Sequence, residues 1–240
     1  MSSFDRTRWA DRGFAREYLD HADQYIPDRF YLFHVMRSFY RAFVPRTDRP
    51  RVCDLGCGDG ILTDQLLRED PSIEATLLDG AGEMLEAARR RLAQRPHTRF
   101  VQQSFDELVR DSSTLGTFHF IMSSFAIHHL PGQERRGLFA TVLRHLEPGG
   151  CLMNIEIGLP DQGTFTDWYY RLWQEWIQRR GQLLGLGDQF QDVPGKAREN
   201  PDNQYSPLTQ QLADLSAAGF RDVECHYKNG LFVIYSGRGN

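Results

Sequence analysis

The stretch Arg51-Val-Cys-Asp-Leu-Gly-Cys-Gly-Asp-Gly-Ile-Leu62 decides the fold. A short apolar run leads into an acidic residue, Asp54. Three glycines then follow at alternate positions, Gly56, Gly58 and Gly60, and a helix-like segment starts at Ile61. Glycines at this spacing let the backbone turn sharply and let a ligand approach main-chain N–H groups with no Cβ in the way. In open α/β sheets such a turn lies at the carboxyl ends of the strands, where nucleotide-type ligands bind. A glycine turn alone is weak evidence, but the next strand strengthens it. Ile73-Glu-Ala-Thr-Leu-Leu-Asp79 reads as a second strand ending in a carboxylate, which can accept hydrogen bonds from two ribose hydroxyls at once.

Outward from that segment, strand and helix alternate. Strands are expected near 51–55, 73–79, 99–103, 117–123 and 150–157, and helices near 61–70, 82–94, 105–110 and 132–146. Parallel strands joined by helices give a doubly wound sheet. In the helix at 132–146, Leu138, Phe139, Val142, Leu143 and Leu146 recur at helical spacing, and Pro148-Gly149-Gly150 ends it. Two strands near the end, about 221–227 and 230–237, are joined tightly through Lys228-Asn229-Gly230, and Asn-Gly is a strong hairpin signal.

These residues together resemble the class I S-adenosylmethionine-dependent methyltransferases. Val52 to Gly60 is similar to the family's first motif. Leu77-Leu-Asp-Gly-Ala-Gly-Glu-Met-Leu85 is similar to its second, Phe118 to Leu130 to the fourth-strand motif, and Leu146-Glu-Pro-Gly-Gly-Cys-Leu-Met153 to the turn into the fifth strand. The resemblance covers about residues 50 to 237. It implies a Rossmann-like methyltransferase fold, a seven-stranded mixed sheet with its last strand antiparallel, and S-adenosyl-L-methionine as cofactor. A nicotinamide-dependent oxidoreductase shares the first half of this architecture, but its fingerprint places the third glycine one residue later.

Carried over by position, the resemblance has Asp54, Gly56, Gly58 and Gly60 shape the pocket for the amino acid end of the cofactor. Asp79, with Gly80 beside it, binds the ribose, Met84 packs on adenine, and Ser124 lies near the amino acid end. Ser104-Phe105 stands where many relatives have an Asp beside the adenine amine, a departure from the pattern. His128 and His129 follow the fourth strand near the transferable methyl. Glu156, at the end of the fifth strand, is the preferred acceptor-side carboxylate, able to orient or deprotonate an amine or hydroxyl. No spacing signature supports a metal.

Two segments fall outside the alternation. Residues 1–45 read as two aromatic-rich helices split at Ile26-Pro27-Asp28, with Pro27 in the first turn of the second. Residues 161–206 form an insertion that begins with a helical repeat of aromatics and ends in a Gly/Asp/Pro/Asn-rich stretch read as loop. In the family these are the places where lids grow, the remainder (46–240) being the cofactor-binding domain. Tyr18, Tyr25, Arg29, Trp168, Trp173 and Trp176 are the candidate lid and substrate residues. Tyr and Arg among them are also candidates for the methionine carboxylate.

The 240 residues are 40% hydrophobic and 25% charged, ordinary for a single globular domain. A net charge of −4 and a pI near 6.1 argue against standing attraction for a nucleic-acid backbone. No apolar run approaches a membrane span, and Met1-Ser-Ser-Phe-Asp-Arg lacks a signal-peptide core. Cys53, Cys57, Cys151 and Cys225 show neither C-x-x-C spacing nor a disulfide-scaffold pattern, so reduced thiols and a cytoplasmic location are expected. The expected acceptor is a small molecule methylated at nitrogen or oxygen, and a homodimer is compatible with these properties. Modification of tRNA and a non-catalytic cofactor-binding role are the alternatives from other classes.

Overall fold

The computed structural model describes residues 21–240, so Tyr18 and most of the first expected helix lie outside the described residues. Residues 21–25 are helical, and α1 spans Arg29–Phe43. The alternating core follows as β1 (Arg51–Leu55), α2 (Ile61–Glu69), β2 (Glu74–Asp79), α3 (Gly82–Arg91), β3 (Thr98–Gln102), α4 (Phe105–Arg110), β4 (Phe118–Ser124), α5 (Gly132–Arg144) and β5 (Leu146–Leu159). The insertion contributes α6 (Thr166–Leu184), α7 (Val193–Glu199) and the two-residue β6 (Ser206–Pro207). Then come α8 (Leu208–Ala217), β7 (Arg221–Asn229) and β8 (Phe232–Arg238). The sheet order is β3-β2-β1-β4-β5-β8-β7, with β6 added beside β5. Strands β1 to β5 pair in parallel, and β8 runs antiparallel to both β5 and β7.

Both faces of the sheet are covered, so strand residues alternate between two apolar layers rather than between core and water. Val52, Leu77, Phe120, Met122 and Met153 join the layer containing Met36 of α1, Leu66 of α2 and Leu85 of α3. Their neighbours Cys53, Leu78, Ile121 and Leu152 join Leu108 of α4, Leu138 of α5 and Leu215 of α8 on the opposite face. Full burial of side chains of this size contributes about 1.5–3 kcal/mol each. Helix α1 belongs to the first layer through Leu32, Phe33, Met36, Phe39 and Tyr40, a stripe at helical spacing. It is fastened along α2 by Tyr40 Oη donating to Asp70 Oδ2 (2.7 Å) and Arg37 Nη1 donating to Gln65 Oε1 (2.6 Å).

Four local expectations change. Pro27 sits in the turn before α1, not in its first turn, because Asp28 adopts a left-handed conformation (φ 53°) as the N-cap. The Asp28 carboxylate accepts from Tyr227 Oη (2.9 Å) and Asn229 Nδ2 (3.1 Å), tying that turn to the β7–β8 hairpin. In the hairpin, Asn229 is the last ladder residue, paired with Phe232, so the two-residue loop is Gly230-Leu231. With positive φ at Gly230 and not at Leu231, it follows the glycine-first type II′ pattern rather than Asn-Gly type I′. Helix α5 ends at Arg144, and Leu146 already pairs with Phe118 across an irregular start of β5. Finally, α7 lies within the stretch read as loop; Pro194 is in its first turn, where a missing N–H is tolerated.

The insertion leaves β5 at Leu159 and returns as β6, whose Ser206 and Pro207 pair in parallel with Gly158 and Leu159. Its base is therefore closed on the sheet. Among the described residues no helix is long and apolar enough to cross a membrane.

Candidate active site

The turn after β1 is tied to the end of β2 by its backbone. Gly56 N and Cys57 N both donate to Leu78 O (2.8 and 3.0 Å), and Gly58 N donates to Asp79 Oδ2 (2.9 Å). The other oxygen, Asp79 Oδ1, accepts from Ala81 N (2.8 Å). Each carboxylate oxygen thus holds one backbone donor and keeps a lone pair for a further hydroxyl. Behind the turn, Asp54 Oδ2 accepts from Thr63 Oγ1 at 2.7 Å. Burial pushes the Asp54 carboxyl up to about 7, against the Thr63 hydrogen bond and with the Asp79 charge adding to the rise. Burial also raises Asp79, to about 6, against the stabilising N–H groups of Ala81 and Gly58.

A cleft opens over this turn. Asp54, Gly56, Gly58, Asp79, Gly80, Met84, Phe105, Ser124 and Arg29 all line it, as does His129. Gly56 and Gly58 both have positive φ, for different reasons. A Cβ on Gly56 would overlap the Ala126 methyl and come within 3.1 Å of Phe105 Cζ, whereas one on Gly58 would meet nothing within 4 Å and would project into open space. That free space above a bare backbone, flanked by a carboxylate with two accepting positions, fits a nucleoside with adjacent hydroxyls.

Two expected cofactor residues are not at the cleft. Gly60 caps α2, and a side chain there would press on Leu77, Ala88 and Leu92. Ser104 begins α4 as a capping box, with Ser104 N donating to Glu107 Oε2 (2.8 Å) and its hydroxyl engaged by Asp106 and Glu107. Gln103, one residue earlier, lines the cleft instead. The Ser-x-x-Glu pattern at 104–107 was the available signal that this hydroxyl belongs to a helix start.

A second cavity of about 400 Å³ adjoins the first, and Phe125 and His129 line both. Phe125 holds φ 51°, a costly conformation for a bulky residue, with its ring edge-on to Phe232 at 5.9 Å. His128 and Trp173 line the second cavity, as does Tyr25, which therefore faces away from the first. Trp173 Nε1 donates to Tyr25 O (2.6 Å), pinning α6 to the segment before α1. Arg29 is paired with Asp23 and lies over the Phe33 ring. Trp168 is 48% exposed, and Trp176, one turn beyond Trp173, packs against the core margin; neither lines either of these two cavities.

Glu156 lines neither cavity. It is buried behind His128, receiving His128 N (3.0 Å), His128 Nδ1 (2.5 Å) and Ile157 N (2.8 Å). Its carboxylate cannot touch an acceptor; it fixes the imidazole and leaves Nε2 for the cavity that His128 lines. His129 is different. Burial, with His128 adjacent, holds its pKa well below the usual range, and its Nδ1–H donates to Asp202 O (3.1 Å). Gln204 N donates to His128 O (2.8 Å), and the Tyr205 ring stands 4.9 Å from that of His128. The return segment of the insertion is thus fastened directly to the histidine pair. No cluster of three or more His, Cys, Asp or Glu side chains suited to a metal occurs among the described residues.

Residues 52–150 match a family described as "Methyltransferase domain". With this sheet order and cleft, the chain is similar over that stretch to the class I S-adenosylmethionine-dependent methyltransferases. Trans-aconitate 2-methyltransferase of Deinococcus radiodurans is 35% identical over 130 residues, which cover 52% of this chain and 46% of that protein. Malonyl-[acyl-carrier protein] O-methyltransferase of Halalkalibacterium halodurans is 27% identical over 59% of this chain and 49% of its own. The match thus spans about half the length of each of these relatives. An O-methyltransferase family protein from Burkholderia thailandensis shares the fold with a TM-score of 0.67 at 16% identity, covering 98% of this chain and 63% of that one.

Proposed function

We propose that this protein transfers a methyl group from S-adenosylmethionine to nitrogen or oxygen of a small molecule held in the second cavity, under a lid formed by residues 21–45 and 161–206. The observation that carries this reading is the junction of the two cavities at Phe125 and His129, with the His128–Glu156 pair beside it. Bound in the first cleft, the cofactor supplies an electrophilic methyl on a sulfonium. Asp79 would accept the ribose hydroxyls, Met84 and Phe105 would offer apolar surface to the base, and Asp54, Gly58 and Ser124 would border the amino acid end. His128 takes the proton of the acceptor through Nε2, while Glu156 holds the ring and stabilises its positive charge. The aromatic lid excludes water and holds the acceptor in line.

Calorimetric titration with S-adenosylhomocysteine and with NAD tests the cofactor. Binding of the former is expected, and Asp79→Ala weakens it by about 1–3 kcal/mol through two lost charge-assisted hydrogen bonds. Binding of NAD alone overturns the reading.

A further inference from the structure

The second cavity also constrains what enters it. Its walls carry six aromatic side chains, Tyr25, Phe125, Trp173, Phe190, Tyr205 and Phe232. Several brace one another: Trp173 stands edge-on to Phe232 at 5.2 Å, and Phe190 lies 6.1 Å from Tyr25. Such a box offers flat, rigid apolar surface suited to another ring. Among the described residues, Lys196 is the one permanently cationic side chain lining it, and its ammonium is 2.6 Å from Asp192 Oδ2, which also lines the cavity. Both side chains are more than half exposed and their charges offset, so the cavity offers a polyanion no buried cation to hold it.

The histidine pair supplies an independent constraint. A carboxylate acceptor is already ionised near neutral pH and needs no base, whereas a phenolic hydroxyl, with a pKa of about 10, must lose its proton during transfer. His128, backed by the buried Glu156, is built for that second task. We infer that the acceptor is a planar hydroxyaromatic compound methylated at oxygen, not a polycarboxylate. This inference rests on the methyltransferase reading above. The phenolic O–H bond breaks and its proton passes to His128 Nε2. The oxygen's electron pair forms the O–CH₃ bond, and the electron pair of the broken S–CH₃ bond stays with the donor sulfur, which becomes a neutral thioether.

The test uses the full chain loaded with S-adenosylhomocysteine and two hydroxyaromatic probes, 4-nitrocatechol and a flavonol, against trans-aconitate and citrate. Calorimetry reads affinity, and visible absorbance reads ionisation of bound nitrocatechol. Both hydroxyaromatics are expected to bind more tightly than either polycarboxylate, with bound nitrocatechol ionising at lower pH than it does free. Phe190→Ala is expected to weaken nitrocatechol by roughly tenfold without changing affinity for S-adenosylhomocysteine. His128→Asn is expected to abolish the ionisation shift while binding persists. Failure of both hydroxyaromatics to bind the loaded protein, tighter binding of trans-aconitate, or an unshifted ionisation in the unaltered protein overturns the inference. Failure of S-adenosylhomocysteine itself to bind overturns the methyltransferase reading beneath it.

Discussion

The turn at Gly56–Gly60 and the insertion at 161–206 both wall a cavity, by opposite means. The turn presents main chain: its N–H groups are fixed by Leu78 O and Asp79, and its value lies in side chains that are missing. The insertion presents side chains: Trp173 from α6 and Phe190 and Tyr205 from the irregular segments after it line the second cavity. A site made of backbone tolerates almost no substitution, whereas a site made of rings can be retuned one ring at a time.

The largest expected effect tests the second cavity, which the insertion walls and His128 lines. His128→Ala lowers kcat by about 10²–10⁴-fold, the usual contribution of a positioned base, with S-adenosylhomocysteine affinity unchanged in calorimetry. An equal loss of cofactor affinity would move His128 to the other side of the comparison. Next comes Gly56→Ala, which combines positive φ with overlap on Ala126 and costs roughly 2–5 kcal/mol of stability in denaturant titration. Gly58→Ala meets no neighbour, so it costs only about 1–2 kcal/mol of stability, yet its methyl occupies the cleft and weakens cofactor binding more than it destabilises the fold.

A pH titration sharpens the contrast further. Burial raises the Asp79 carboxyl to about 6, so the empty fold favours its neutral form. That contribution to stability is present at low pH and is lost as pH rises through about 6. Cofactor binding runs the other way: only the ionised carboxylate accepts both hydroxyls, so affinity falls as pH drops below about 6. Melting of the empty protein and cofactor affinity, measured over the same pH series, should therefore trend oppositely in this contribution, and Asp79→Asn should remove it from both. The smallest effect is Trp168→Ala, expected within about 0.5 kcal/mol in stability and without change in acceptor KM, because the ring is half exposed and reaches neither cavity.

The same contrast explains what could be read from sequence. Glycine positions and a strand-end acid are constraints on backbone conformation and hydrogen-bond capacity, and those are written in residue type. Asp54, Gly56, Gly58, Asp79, Gly80, Met84, Phe105 and Ser124 accordingly all meet at one cleft. Ser104 was misplaced because a hydroxyl that can serve a ligand can also cap a helix, and Glu107 three residues on settles the competition. On the insertion, helical spacing sets Trp168 apart from Trp173 and leaves Trp176 at its flank, but the sequence does not say which face is inner. That depends on where α6 docks, through Trp173 and Tyr25, which no local pattern records. Glu156 was found as a residue but not in its place, since only the fold puts it behind His128.

Because Ser206 pairs beside Gly158, the whole excursion from β5 starts and finishes at neighbouring points of the same strand edge. The strand edge fixes the spacing of those two points, and closing a longer or shorter excursion across them changes the entropy slightly. Length between the anchors can therefore vary, while Trp173 against Phe232 and Gln204 N on His128 O fix how the excursion seats. On the proposed function, grafting a different excursion that keeps those seats would change the acceptor while leaving the methyl source untouched.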